Sequence, residues 1–214
     1  MRRIIIILAF LSGTWAGRAD DRSTAILQKI STTLNGYKNY EVAFSFVVRN
    51  SPSDVSSPIT GSYVVSGEKY YIDLDMREVY CDGKTKYEVD RENREVTIDK
   101  VNPADRSFLA NPTQAFDFLD GTFTHRFEEK QSYGGKSCDM IALTAVDKSS
   151  GLSDARLYVD CHTGLPASVI YAVGGSSSEI EVTVKKITPL SSVAPKRFIF
   201  DRSRYGDFEL IDFR

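Results

Sequence analysis

Apolar and polar residues alternate along most of the chain, most clearly between residues 61 and 87. Every second residue is apolar in residues 61–66 and 70–76, which is typical of antiparallel strands with one buried and one solvated face. Ser66-Gly67 separates the two runs. Asp82-Gly83 marks the next turn and has the residue types that a type I′ turn favours. The segment therefore predicts consecutive hairpins with one apolar face that needs a cover.

The same period of two recurs in many other segments. Further strands are predicted over residues 41–49, 86–90, 95–99, 123–129, 137–145, 155–160, 168–173, 179–187 and 197–200. Short strands in sequence, joined by tight turns, indicate one large antiparallel meander. A sheet with so many strands must curl, because neighbouring strands are twisted relative to each other.

Helical spacing first appears in residues 20–35, where Ile26, Ile30 and Leu34 fall on one face. Asp21 or Ser23 is suited to cap its start. Gly36 is the residue type that commonly ends a helix. This helix is predicted to pack on the sheet by one apolar stripe.

A second, shorter helix is predicted to end at Gly121. Asn111 is a suitable N-cap, Pro112 suits the first helical position, and Gln114 is the reciprocal capping partner. The apolar residues of this region are Ala115, Phe116 and Leu119, with Phe108 and Leu109 in a further helical turn just before it.

These elements predict an α+β fold that is mostly β, in which a curled antiparallel sheet has a concave apolar face. Only two helical segments are available to cover that face. Either the face collapses into a packed closed barrel, or it encloses an apolar cavity under a helical lid. The alternation of residues leaves both arrangements open.

The N-terminus has the three regions of a secretory signal peptide. Arg2 and Arg3 precede the apolar residues 4–16, and small residues follow up to Ala19. The apolar region is shorter than the roughly 20 residues that span a bilayer. We therefore expect cleavage near Ala19, export to the periplasm, and a single domain over residues 20–214.

Charge argues against a nucleic-acid partner. The chain has 27 basic and 29 acidic residues. Three of the basic residues precede residue 20, so the mature chain has 24 basic and 29 acidic residues and a net charge of −5. Basic residues interleaved with aromatic ones, as expected in a phosphate-backbone binder, are not found in the sequence.

The three cysteines are Cys81, Cys138 and Cys161. An exported chain can keep a disulfide. Folding the hairpin of residues 137–145 and 155–160 brings Cys138 and Cys161 nearly opposite each other, so a bridge between them is predicted. The alternative is two small reduced residues.

Catalytic motifs are weak. Ser66 and Lys69 have the Ser-x-x-Lys spacing, but they lie in a hairpin turn and not at a helix start. Asp73 and Asp75 share one side of a strand, where a solvated outer face is the simpler explanation. The two histidines are far apart in the sequence. We therefore expect no enzymatic activity, no metal site and no cofactor.

The order of several segments resembles the LolA family of periplasmic lipoprotein carriers, over nearly the whole mature chain. The N-terminal helix leads into Tyr40-Glu-Val-Ala-Phe-Ser-Phe, followed by Gly61-Ser-Tyr-Val-Val and Cys81-Asp-Gly-Lys-Thr-Lys-Tyr. The segment Asn111-Pro-Thr-Gln-Ala-Phe stands where that family has a lid helix. Residues 197–201 and 209–214 are similar to the C-terminal segments of LolA-like proteins from the Bacteroides group.

The resemblance implies an unclosed β-barrel whose hydrophobic cavity holds lipoprotein acyl chains, or another lipid, between the inner and outer membranes. Exposed acyl chains cost about 0.8 kcal/mol per CH₂, so a soluble carrier must shield them. The implied partners are an inner-membrane lipoprotein-releasing transporter and an outer-membrane acceptor, and the chain is expected to be a monomer. A sensor or protein-interaction module of the same fold, without cargo, is the alternative.

The resemblance also assigns side chains to this cavity. The implied lipid-binding residues are Val42, Phe44, Phe46, Tyr63, Val65, Tyr70, Ile72, Leu74, Phe116 and Leu119. The implied lid residues are Phe108, Leu109, Ala115, Phe116 and Phe118. For each aromatic residue, a plain hydrophobic core is the alternative explanation.

One position departs from the family. Its well-studied members have an arginine just after the strand that contains Tyr63 and Val65, and this arginine latches the lid. Here Gly67 stands in that place, followed by Glu68 and Lys69. An arginine latch is therefore not expected, and Lys69 is the candidate substitute.

Overall fold

The computed structural model describes residues 16–51, 53–102, 111–147, 152–173 and 176–214. These ranges contain one α-helix, thirteen strands and two short 3₁₀ helices, Pro195–Phe198 and Arg202–Tyr205. The helix and strands are α1 (Ala16–Gly36), β1 (Asn39–Ser51), β2 (Asp54–Val55), β3 (Ile59–Ser66), β4 (Lys69–Leu74), β5 (Arg77–Cys81), β6 (Thr85–Asp90), β7 (Glu95–Lys100), β8 (Phe123–Tyr133), β9 (Lys136–Ala145), β10 (Leu152–Asp160), β11 (Pro166–Val173), β12 (Glu179–Pro189) and β13 (Glu209–Asp212).

The strands form one curled, unclosed sheet. Its order is β13-β7-β6-β5-β4-β3-β1-β12-β11-β10-β9-β8, with β2 paired to β1. Neighbouring strands are antiparallel except β13, which runs parallel to β7. This parallel strand was not predicted, because the chain crosses the outside of the sheet before it adds to the β7 edge.

Cross-strand register explains the interior. Val42 lies opposite Tyr63, Tyr63 opposite Ile72, and Ile72 opposite Val79, so one row of apolar side chains crosses four strands. Leu27 and other residues of α1 pack against this row. We call the buried apolar residues on this concave side the interior cluster.

The outer side of β3 to β7 is also buried, contrary to the prediction of one solvated face. Tyr71 lies opposite Val64 and Tyr80. The C-terminal segment covers these residues with Phe198 and Tyr205. We call this group the outer cluster; its buried members are Val64, Tyr71, Tyr80, Val89, Val96, Ile98, Phe198 and Tyr205.

Part of that cover was predicted as a strand over residues 197–200, which is wrong. Pro195 instead begins a 3₁₀ helix that ends at Phe198. Proline suits this position because its fixed φ matches the first turn of a helix and it has no backbone N–H to leave unpaired. The turn directs Phe198 into the outer cluster.

The predicted helix that ends at Gly121 is also wrong. Gln114 N donates to Asn111 O at 3.0 Å, and Asp117 N donates to Gln114 O at 3.1 Å, so single turns replace a continuous helix. Phe116 and Phe118 are both buried. Residues two apart point to nearly opposite sides of a helix, so only a non-helical chain directs both inward.

The turn at Asp82-Gly83 is not type I′, because Gly83 has a positive φ of 97° and Asp82 does not. The Asp82 carboxylate accepts hydrogen bonds from the backbone N–H groups of Lys84 and Thr85, at 2.8 and 2.9 Å. Aspartate side chains often support a turn in this way. Within the described ranges, no helix combines the length and apolar character needed to cross a membrane.

Candidate functional site

The interior cluster contains most of the residues that the sequence assigned to lipid binding. Six of them are at most 4% exposed: Val42, Phe44, Tyr63, Val65, Tyr70 and Ile72. Phe46 and Leu74 are partly buried and pack against the same cluster. The alternation along β1, β3 and β4 therefore placed these side chains on the correct face. Leu119 differs, because it is 37% exposed.

The segment of residues 111–119, which we call the covering segment, closes one side of the interior. Ala115, Phe116 and Phe118 belong to the interior cluster and are 1%, 5% and 4% exposed. The ring of Phe118 meets that of Phe123 edge to face, with centroids 6.0 Å apart. Phe108 and Leu109, the other predicted lid residues, lie outside the described residues.

Helix α1 covers the interior near β8, the strand at one edge of the sheet. Ser23 is fully buried, and its hydroxyl shares a 2.8 Å hydrogen bond with Nδ1 of His125. Arg22 pairs with Asp139 at 2.8 Å, and its guanidinium lies 3.6 Å from the ring centroid of Phe127. These polar contacts fix the register of α1 on the sheet, which apolar packing alone specifies poorly.

Tyrosine hydroxyls are the main polar groups of the interior. Burial raises the pKa of Tyr40 to about 12. Burial also raises the pKa values of Tyr63 and Tyr171, so all three remain neutral donors at neutral pH. Among the described residues, the Tyr171 hydroxyl has no hydrogen-bond partner.

A small pocket lies where α1 meets the covering segment. Its volume is about 90 Å³, and Leu34, Tyr40, Gln114 and Phe116 are among its lining residues. Leu34, Tyr40 and Phe116 also belong to the interior cluster. The pocket therefore marks a place where the interior approaches solvent between two covering elements.

Gly67 begins the two-residue turn between β3 and β4 and has a φ of 59°. A side chain at this φ is strained, so the turn itself disfavours an arginine here. Lys69 is exposed. Burial opposes ionisation of Asp82, but hydrogen bonds from Thr85 and Lys84 and the charge of Lys69 outweigh it and lower the pKa of Asp82. The charge of Lys69 therefore acts on the Asp82 turn, and its role as a substitute latch stays a prediction.

The outer cluster contains a charged site that the sequence did not predict. Glu78 is 1% exposed. Its carboxylate accepts hydrogen bonds from Tyr71 at 2.5 Å, Tyr80 at 3.2 Å and Tyr205, and it pairs with Arg91 at 2.9 Å. The available signal was the presence of Tyr71, an aromatic residue, on the face that was predicted to be solvated.

The same contacts determine the charge state of Glu78. Burial alone would raise the pKa of its carboxyl. Hydrogen bonds from Tyr205 and Tyr71 and the charge of Arg91 outweigh burial and lower the pKa. The buried carboxylate is therefore ionised at neutral pH and holds the tyrosine hydroxyls as donors.

The cysteines do not form the predicted bridge in this structure, where Cys81, Cys138 and Cys161 are free thiols. The register places Cys138 opposite Asp160, one residue away from the predicted partner. Because strand side chains alternate between faces, this offset leaves Cys138 buried and Cys161 exposed. Across the ranges that the structure describes, no group of three or more His, Cys, Asp or Glu residues is placed to hold a metal ion.

No family model and no curated protein matches the chain by sequence. Solved structures do match it. An uncharacterised conserved protein from Thermus thermophilus is 7% identical, with a TM-score of 0.58 over 90% of this chain and 99% of that one. LprF from Mycobacterium bovis is 12% identical, with a TM-score of 0.51 over 83% of this chain and 98% of that one.

A third solved structure is titled a putative outer membrane lipoprotein-sorting protein domain, from Vibrio parahaemolyticus. It is 8% identical, with a TM-score of 0.50 over 87% of this chain and 99% of that one. Identities this low show similarity of fold alone. The predicted fold class is confirmed: the chain is mostly β, and its unclosed curled sheet is similar in fold to that lipoprotein-sorting domain.

Proposed function

We propose that this protein is a carrier that holds the acyl chains of lipoproteins, or of another lipid, in its interior. The observation that carries the proposal is the composition of that interior. Aromatic and aliphatic side chains of β1, β3 and β4 meet Ala115, Phe116 and Phe118 of the covering segment. Such a surface matches an acyl chain, because burial of each CH₂ contributes about 0.8 kcal/mol.

The described interior is packed shut, so the carrier must open before it loads. Val42, Phe44, Tyr63 and Ile72 are at most 1% exposed. The covering segment is the element best suited to move, because isolated turns do not have the cooperative hydrogen bonding of a helix. An incoming acyl chain would replace its side chains with an equally apolar surface.

The Tyr171 hydroxyl supports a second contact with such a cargo. It is buried among apolar side chains and has no partner in the part of the chain that the structure describes. A buried donor without a partner is costly. An ester or amide carbonyl at the head of an acyl chain would accept a hydrogen bond from it. The carrier would therefore prefer an esterified chain to an alkane.

The proposed setting is the periplasm, after cleavage near Ala19. A basic, apolar and small-residue order at residues 1–19 supports export. The domain of residues 20–214 would move cargo from an inner-membrane transporter to an outer-membrane acceptor. A similar fold is titled an outer membrane lipoprotein-sorting domain. The proposal includes no catalysed reaction and no cofactor.

A charge in the covering segment tests the proposal. Phe116→Glu places a carboxylate in the interior cluster, whereas Leu119→Glu places the same charge on an exposed side chain three residues away. Binding of a fluorescent fatty acyl probe should weaken at least about tenfold in Phe116→Glu. Burial of the carboxylate against an acyl chain is costly, and a cost of only about 1.4 kcal/mol raises the Kd tenfold. Leu119→Glu should bind the probe with the same affinity as the wild-type protein.

Circular dichroism of both variants checks that the sheet is intact. Equal probe binding in Phe116→Glu and Leu119→Glu would contradict the role of the covering segment. Native mass spectrometry of protein purified without detergent addresses the second candidate, a cargo-free interaction module, which the closely packed interior favours. Bound acyl species support the carrier, and a protein that neither retains nor accepts an acyl chain would be the module.

A further inference from the structure

One feature that the carrier function leaves unused lies on the outer side of the sheet. A pocket of about 580 Å³ opens between β4, β5 and the C-terminal segment. Its floor is formed by Tyr71 and Tyr80. Four basic side chains and one carboxylate, Asp201, line it, and the basic residues are Lys196, Arg197, Arg202 and Arg204. The pocket is therefore basic in a chain whose overall charge is −2.

Two of the four cations are committed to structure. Arg202 donates hydrogen bonds to the carbonyl oxygens of Tyr205 at 2.7 Å and Phe208 at 3.0 Å, so it holds the C-terminal turn together. Arg204 donates to the Tyr80 hydroxyl at 2.7 Å and lies 3.8 Å from the Glu78 carboxylate. Neither is suited as the first contact for an added ligand.

Lys196 and Arg197 differ because both are exposed, and the ion pairs found among the described residues do not include them. The guanidinium of Arg197 lies over the face of Tyr71, 4.3 Å from the ring centroid. Stacking of this kind leaves the N–H edge of a guanidinium free to bind an oxyanion with two hydrogen bonds.

The two nearby carboxylates do not neutralise this pair. Glu78 lies beneath the floor and is already paired with Arg91 at 2.9 Å. Asp201 accepts hydrogen bonds from the backbone N–H and the hydroxyl of Ser203, at 3.0 and 2.7 Å, and so caps the following turn. Both carboxylates are used inside the fold, whereas the two cations face outward.

The wall of the pocket also contains an exposed apolar side chain. Ile199 is 59% exposed and lines the pocket two residues after Arg197. Cations next to an exposed aliphatic residue are suited to the surface of an anionic bilayer, where headgroup phosphates lie just above the acyl chains. A soluble anion would make no use of Ile199.

We infer that this pocket binds the phosphate of anionic phospholipid headgroups and so docks the outer side of the sheet on a membrane surface. Lys196 and Arg197 contact the phosphate, and Ile199 enters the acyl boundary. The inference goes beyond the proposed carrier function, because it concerns the opposite side of the sheet from the interior. Phospholipid docking would be detectable even in a protein that holds no cargo.

Vesicle sedimentation tests the inference. The full chain is mixed with phosphatidylcholine vesicles and with vesicles in which half of the lipid is phosphatidylglycerol, in about 0.1 M salt, where charges still interact over about 10 Å. Binding is expected to the anionic vesicles alone. Each basic side chain near an anionic surface contributes about a fivefold factor, so the double variant Lys196→Gln, Arg197→Gln should bind about 25-fold more weakly.

The matched control is Lys185→Gln, Lys186→Gln, which removes the same charge from two exposed positions on β12. It should keep most of the binding. Inorganic phosphate should release the protein from vesicles more effectively than sodium chloride at equal ionic strength, because it competes for the pocket.

The inference would be overturned by any of these results: no preference for anionic vesicles, equal weakening in both double variants, or equal release by phosphate and chloride. Binding to polyglutamate without binding to anionic vesicles would also overturn it, in favour of an acidic protein partner. Thermal unfolding of both double variants checks that neither set of substitutions disrupts the sheet.

Discussion

The two buried faces of β3, β4 and β5 are built by different chemistry. On the concave side, Tyr63 and Ile72 lie in an interior of apolar side chains. On the outer side, Tyr71 and Tyr80 donate hydrogen bonds to the buried Glu78 carboxylate. Apolar packing has no required partner or direction, whereas a buried charge needs each of its donors in place.

This difference assigns separate tasks to the two faces. A packed apolar side chain can be exchanged for an acyl chain at little net cost, because both remove a similar area from water. The contacts of Glu78 cannot be exchanged in this way, since opening them would leave a desolvated charge. We therefore expect the interior to open while the outer cluster holds the strands in register.

The largest effect is expected from Glu78→Ala. The change removes the carboxylate that accepts hydrogen bonds from the buried hydroxyls of Tyr71 and Tyr205 and that pairs with Arg91. Each buried polar group that loses its partner typically costs about 1–3 kcal/mol. Urea unfolding should show that the free energy of unfolding falls by at least about 3 kcal/mol. The Kd of the acyl probe for the protein that remains folded should change by less than about twofold, which corresponds to less than about 0.5 kcal/mol.

Glu88→Ala is the control for this prediction. Glu88 lies on β6, its side chain is 37% exposed, and it is 3.6 Å from Arg77. An exposed pair of this kind contributes less than about 1 kcal/mol. Similar losses in Glu78→Ala and Glu88→Ala would show that the outer cluster is not the fixed face of the sheet.

The alternation of apolar and polar residues predicted some parts of the fold and missed others. The bounds of strands in which every second residue is apolar, such as β1 and β4, were predicted within a few residues, because this alternation directly indicates one buried face. The outer cluster was missed because the prediction of one solvated face left Tyr71 outside the core, and the alternation assigned no face to Tyr80. Their burial depends on Phe198 and Tyr205, which are more than 100 residues away in sequence, and local periodicity has no information on such contacts.

The candidate site was predictable to a similar extent. The alternation of apolar and polar residues alone predicted that the side chains of Phe44 and Tyr70 face the interior. The covering segment was placed correctly in sequence but assigned the wrong conformation, because capping residues at Asn111 and Pro112 suit an isolated turn as well as a helix. Leu119 was assigned inward on helical spacing and is exposed for the same reason.

A smaller effect on the free energy of unfolding is expected when the pH is lowered. The pKa of Glu78 is lowered in the folded protein, below the unfolded value of about 4.3. The unfolded chain therefore binds the proton first, and the stabilisation is complete above about pH 4.3 and is lost as the pH falls through the folded pKa. Urea unfolding between about pH 6 and pH 3 should show a steeper loss of stability in the original chain than in Glu78→Gln.

Protonation leaves the side chain in place, so the effect should be smaller than that of Glu78→Ala. The comparison with Glu78→Gln removes the contribution of other carboxylates whose pKa values are lowered, such as Glu181 and Asp160. Equal acid slopes in the two proteins would show that Glu78 does not couple the outer cluster to pH.

The smallest effect on stability is expected from substitution of Gly67, in the turn between β3 and β4. Both of these strands contribute side chains to the interior cluster and to the outer cluster. Gly67→Arg introduces the residue type that latches the lid in the family that the sequence resembles, but a side chain at a φ of 59° is strained by about 1 kcal/mol. A Cβ at this position meets no atom within 4 Å, so the cost is conformational and not steric. Urea unfolding should show this loss, and acyl-probe retention should not increase.

Gly67→Asn is the matched variant, because asparagine tolerates positive φ better than arginine and should lose about half as much stability. If Gly67→Arg retained the probe more strongly than Gly67→Asn, an arginine at this turn would reach the covering segment despite the strain. The interior would then be held shut by a polar contact, and the contrast between an exchangeable inner face and a fixed outer face would no longer describe this molecule.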